Sequence, residues 1–177
     1  MAGTLDWTPA LDRPDLLAAP VAEALKARGD DAGSVQVAEI DPDLADTAAF
    51  CETYGVPLDI SANCVVLAAK RSGATQLAAC LVLATTRADV NGLARRTLEA
   101  RKASFASMDE AVAATGMEYG GITPIGLPPD WPLLVDAAVA ACERAVVGSG
   151  VRRSKLLLPG ALLAALPGAL VLDGLGR

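Results

Sequence analysis

Apolar positions in PDLLAAPVAEALKARG (14–29) recur about every four residues, at Leu16, Leu17, Val21 and Leu25, which predicts a helix stopped by Gly29. SVQVAEI (34–40) alternates instead, the period of a strand, and ADTAAFCETYG (45–55) predicts a short helix ended by Gly55 and Pro57. NCVVLAAK (63–70) and TQLAACLVLATT (75–86), joined by RSGA, form the clearest hairpin in the chain. Both runs are almost continuously apolar, the pattern of strands buried on two faces.

Further along, Asp89 is placed to cap a helix over VNGLARRTLEA (90–100), and KASFA (102–106) reads as a strand. Ser107 with Glu110 three residues on forms a capping box for MDEAVAATG, with Gly116 as its stop. LLVDAAVA (133–140), ERAVVGSG (143–150) and KLLLP (155–159) are the remaining strand candidates, although VDAAVAACERAV fits a helix equally well; Pro159 opens a last short helix. Strands and helices interleave with no internal repeat, no GxGxxG and no GxxxxGK[ST] phosphate loop. The expectation is one mixed α/β domain over 1–177, with residues 1–13 a flexible extension.

Composition narrows the chemistry. Apolar residues make up 53% of the 177 positions and aromatics only 3%, so the core must be built mainly from Ala, Val and Leu. The longest apolar run, LLLPGALLAALPGALVL (156–172), is broken by Pro159 and Pro167, and the N-terminus lacks a basic n-region. No membrane association is expected, and a cytoplasmic location is. There is no histidine, which excludes Ser-His-Asp and Cys-His catalysis. Cys51, Cys64, Cys80 and Cys142 show no CxxC spacing and read as small hydrophobic side chains rather than metal ligands. Neither a metal nor a cofactor is expected.

The net charge of −6 is unevenly spread: residues 1–59 hold 12 acids and 3 bases, whereas 70–102 hold seven bases against Asp89 and Glu99. The basic stretch is either a solvated face or a phosphate-facing side on an acidic protein.

One stretch breaks the apolar pattern. MEYGGITPIG (117–126) sets two adjacent glycines and a proline directly after a capped helix, a segment suited to backbone contact. Taken with SANCVVLAA (61–69), ACLVLATTRADVN (79–91), ARKASFAS (100–107), LLVDAAV (133–139) and AVVGSG (145–150), in that order, it resembles the YbaK/prolyl-tRNA-synthetase-associated editing domain family over roughly residues 20–172. The resemblance implies an α/β fold with a mixed, curled or barrel-like sheet surrounded by helices. It also implies a deacylase that hydrolyses amino acids wrongly attached to tRNA, commonly tRNA for proline, and with no synthetase-like catalytic sequence in the chain a freestanding protein is expected.

In that family a GxxxP loop presents main-chain groups to the aminoacyl ester and terminal ribose. Its counterpart here is Gly120, Gly121, Ile122, Thr123 and Pro124, the first three as candidate catalytic amides and the last two as substrate-binding residues. The resemblance places Gly148, Ser149 and Gly150 beside this loop; Asp136, an acid in an apolar run that needs a partner, is either a structural hydrogen-bonding group or a substrate-orienting one. Lys70, Arg95, Arg96 and Lys102 are candidate contacts to tRNA phosphates. Where many members carry a lysine at the start of the first central strand, this chain has Asn63, which can hydrogen-bond a carbonyl or ribose hydroxyl but supplies no charge. Lys70, Lys102 or the cluster Arg152, Arg153 and Lys155 are alternative sources of that charge. The expected partners are aminoacylated tRNA and an aminoacyl-tRNA synthetase. A noncatalytic tRNA-binding homologue and a pocket for an unrelated small ligand stay open beside the deacylase.

Overall fold

The computed structural model describes residues 2–177. Its strands are β1 (Thr8–Pro9), β2 (Gln36–Glu39), β3 (Ala62–Arg71), β4 (Ala74–Leu83), β5 (Lys102–Phe105), β6 (Leu133–Asp136), β7 (Ala145–Gly148), β8 (Ser154–Leu158) and β9 (Ala169–Leu172). The helices are α1 (Ala19–Arg28), α2 (Thr47–Tyr54), α3 (Arg95–Thr97), α4 (Met108–Thr115), α5 (Ala137–Ala140) and α6 (Gly160–Ala164).

The long hairpin forms as its pattern predicts, with β3 and β4 antiparallel from Ala62↔Leu83 to Arg71↔Ala74. Period-two geometry sends alternate residues of β4 to opposite faces. Ala79, Leu81 and Leu83 enter the main core, while Ala78, Cys80 and Val82 pack under the 90–98 segment. Burial on both faces is why the run shows no polar alternation. Around this hairpin a five-stranded mixed sheet takes the order β5-β3-β4-β6-β9, with β6 parallel to both neighbours. A second, antiparallel sheet has the order β1-β2-β8-β7. The parallel bridge Ser61↔Val146 joins the two sheets, and among the described residues they do not close into a barrel. This is the mixed α/β architecture expected.

The local signals hold where a side chain or a glycine decides them. Ser107 accepts from the Glu110 amide at 3.2 Å, and Gly116 ends α4 in the left-handed conformation. Asp89 accepts from the Gly92 and Leu93 amides, but over a π-turn at Val90–Ala94, so the helix expected to reach residue 100 ends at Thr97. LLVDAAVA divides at Asp136, which ends β6 and caps α5 through the Ala138 amide at 2.8 Å.

One expectation is corrected. Residues 2–13 are packed rather than flexible: Thr8 and Pro9 pair with β2, Ala10 is fully buried, and Trp7 donates to the Ala2 carbonyl. The short helix opened by Pro159 forms as α6, and the rest of the apolar run adds a strand that the pattern did not announce, β9, registered beside β6.

Candidate functional site

Where the two sheets meet, the chain leaves a cleft of about 570 Å³. Its walls are the start of α2, the first residues of β3, the end of β5, the loop at 119–122, and β7 with β8 behind it. Register explains this convergence. From the bridge Ser61↔Val146, two residues further along each strand bring Asn63 level with Gly148, and Gly148 faces Lys155 across the β7–β8 pair. Asn63, Gly148 and Lys155 all line the cleft.

Asn63 is tied down by α2. The Thr47 hydroxyl donates to its side-chain oxygen at 2.6 Å, which leaves the amide NH₂ as donor to the cleft. Asp46, at the mouth, caps α2 through the Ala48 amide.

The glycine loop shows why both of its glycines are needed. Gly121 donates to the Glu118 carbonyl at 2.9 Å, closing a four-residue turn. Gly120, at the third position of that turn, has φ +89°, which favours glycine. A Cβ on Gly121 would stand 2.6 Å from the Val151 carbonyl, and one on Gly148 would stand 2.5 Å from the Gly121 oxygen. These two glycines let one stretch of backbone lie directly on another. Gly120 and Ile122 line the cleft, and among the described residues their amides donate to no other protein group.

Several residues singled out from sequence lie elsewhere. The Gly121 amide is spent on the turn, and its carbonyl accepts from Gly150 at 2.7 Å. Thr123 is fully buried, and Pro124 lines a separate apolar cavity of about 290 Å³ with Trp131. Asp136 faces no cleft residue; besides capping α5 it accepts from the Gly176 amide. The Ser149 hydroxyl is buried, donates to the Val151 carbonyl and meets Ser154 at 2.6 Å, while Gly150 packs on Ala18 and Val21. Lys70 and Lys102 sit opposite each other at the far end of β3 from Asn63, and Arg95 bonds to the Asn91 carbonyl. Isolated turns and acids in a sequence do not reveal which of them tertiary contacts consume.

Lys155, which the sequence left among three basic residues, is the one that reaches the cleft. It is 7% exposed, its Nζ donates to the Ala45 carbonyl at 2.9 Å, and it lies 5.2 Å from the centre of the Phe50 ring. Burial pulls its pKa down to about 8, against the attraction of Cys51 and Asp46. Arg152 lies along the outside of the turn, bonded to the Tyr119 and Pro42 carbonyls with its guanidinium against Gly120, and Arg153 turns away to the Asp15 carbonyl. The signal for Lys155 was a lone cation heading the apolar run KLLLP.

Other cleft residues were missed. Phe105 (64% exposed), Tyr119 (51%) and Leu58 form an apolar rim. Cys64 also lines the cleft, but burial drives its thiol pKa upward, and Cys80 on the paired strand is pushed up to about 12. Neither is a thiolate nucleophile near neutrality.

The fold and site together define a two-sheet α/β domain with a cleft of mixed polar and apolar lining beside a glycine turn. The profile of the aminoacyl-tRNA editing domain matches residues 41–166, a span that contains every cleft residue named above, and the chain belongs to that family. Among solved structures it is similar to a proposed trans-editing enzyme for prolyl tRNA synthetase, at 24% identity over 88% of this chain and 94% of that one, with a TM-score of 0.75. It is also similar to hypothetical protein APE2540, at 22% identity over 89% and 99% of the two chains, TM-score 0.76. A candidate signal transduction protein from Marinobacter aquaeolei VT8 shares 20% identity over 88% of this chain and 30% of its own, TM-score 0.54. At these identities the likeness is one of fold. No curated protein matches the chain. Among the described residues no helix is long and apolar enough to cross a membrane.

Proposed function

We propose that this protein is a trans-acting aminoacyl-tRNA deacylase that clears a wrongly attached amino acid from tRNA, of the proline type, in the cytoplasm. The observation that carries the reading is that three residues with unspent donors, the backbone amides of Gly120 and Ile122 and the side-chain NH₂ of Asn63, line one cleft of about 570 Å³. A space of this size holds an aminoacyl ester with its ribose.

In this reading the terminal ribose lies over the 119–122 turn with the amino acid inside. Water adds to the ester carbonyl, and the donors take up the charge that develops on its oxygen. The bond to the ribose oxygen then breaks, and that oxygen leaves with the proton given up by water. The products are free amino acid and tRNA. No protein nucleophile is needed, which suits a chain without histidine. Specificity for the proline tRNA and association with its synthetase are supported by the fold shared with the proposed trans-editing enzyme.

The test is release of labelled amino acid from a panel of mischarged tRNAs, with Asn63→Ala as comparison. A wild type that releases none, while binding tRNA in a salt-sensitive way, selects the noncatalytic reading that Asn63 in place of lysine also allows.

A further inference from the structure

The Lys155 ammonium reaches from β8 to the start of α2 and is buried beside the Ala45 carbonyl and the Phe50 ring, with more donors than partners. An ammonium has three N–H groups. The Ala45 carbonyl takes one, and among the described residues no carboxylate forms an ion pair with it. Burying a cation without a counter-ion costs stability, and the drop in its pKa to about 8 records that cost. The packing asks only for a long flexible side chain against Phe50, which methionine would supply. A destabilising charge facing a cleft is the mark of a group kept for chemistry.

Resting on the deacylase reading, we propose that Lys155 is a catalytic residue that meets the ester carbonyl oxygen with its free N–H donors and holds the negative charge formed as water adds. It keeps its own proton throughout. Asn63, level with Gly148 and so across β7 from Lys155 in the same cleft, positions the same ester from the β3 side. Asp46 at the mouth is the acid placed for the substrate's α-ammonium, which the buried ammonium would otherwise repel.

Because the charged form is the working one, turnover should fall as pH rises through about 8. The other titratable or charged groups facing the ammonium are Asp46 and Cys51 from α2, Cys64 from β3, Arg152 after β7, and Tyr119 from the turn. Cys64 is driven well above this range, and Cys51→Ala serves as the control for the remaining thiol.

The experiment measures single-turnover deacylation between pH 6 and 10, corrected for uncatalysed hydrolysis, together with tRNA affinity and thermal stability. Lys155→Met should lose about 100-fold in rate, with affinity changed less than about threefold, a loss equivalent to roughly 2.7 kcal/mol at the transition state. Lys155→Arg should lose the fall above pH 8, since guanidinium does not titrate there, and Cys51→Ala should keep it. Asn63→Lys in the Lys155→Met background should recover about tenfold, because it returns a cation to the same cleft. A Lys155→Met protein with wild-type rate and pH profile would overturn the assignment while leaving the deacylase reading intact. A wild type inactive on every mischarged tRNA defeats both. Should Lys155→Met fail to fold, a wild-type rate that does not decline above pH 8 overturns the assignment on its own.

Discussion

Thr47 donates its hydroxyl to the side-chain oxygen of Asn63 at 2.6 Å, linking the first turn of α2 to the first residues of β3. The bond fixes which end of the Asn63 amide faces the cleft. Thr47→Val keeps the shape and removes the donor, so the amide can turn over. Deacylation by this variant should drop about 3- to 20-fold, in line with one neutral hydrogen bond of about 1 kcal/mol, and Asn63→Ala should drop further. Equal activity for Thr47→Val and wild type would show that Asn63 orientation plays no part.

Gly121 contacts Val151 through backbone, and its substitution is expected to act on the fold. Gly121→Ala puts a Cβ 2.6 Å from the Val151 carbonyl, costing about 1–3 kcal/mol by overpacking. Urea denaturation should detect this without substrate. Loss of activity in such a variant therefore reports disruption of the loop, not obstruction of an approaching ester.

Lys155 is expected to weaken the fold it sits in. Its pKa of about 8 lies below the ordinary 10.5, so the unfolded chain holds the proton more tightly. The penalty is fully present below pH 8 and is relieved as pH rises from about 8 to 10.5. Lys155→Met should therefore be more stable than wild type at pH 7, by about 1–3 kcal/mol after allowance for the orphaned Ala45 carbonyl. The difference should shrink towards pH 10 in denaturation curves, and a gap that widens instead would contradict the burial argument.

Phe105 and Tyr119 expose aromatic surface at the rim of the cleft. Stacking of a base on such a ring contributes about 1–3 kcal/mol. Phe105→Ala and Tyr119→Ala should each weaken tRNA binding by about that amount in a fluorescence titration, with little change in thermal stability because both side chains are largely in solvent.

Lys70 lies directly opposite Lys102 across β3 and β5, a like-charge pair that opposes strand pairing. Lys102→Glu should then move two properties in opposite directions. Fold stability should rise slightly, by about 0.2–1 kcal/mol. If the pair contacts tRNA phosphates, affinity should fall and the slope of log K against log salt should flatten by about 0.7–0.9 per lost contact.

The amino-acid sequence by itself determined the local elements. The doubly apolar runs fix β3 and β4, the Ser107 capping box fixes α4, and the glycines at 55 and 116 end their helices, because each of these depends on neighbours a few residues away. It also located the glycine turn and the family resemblance. Only the tertiary structure decided the membership of the cleft. Lys155 and Asn63 are brought together by the register of β7 between β8 and the start of β3, a relation between segments some ninety residues apart that no local pattern encodes. Likewise Asp136, Ser149 and the Gly121 amide look available in one dimension, but the folded chain has already used their hydrogen-bonding groups to satisfy its own buried backbone and side chains.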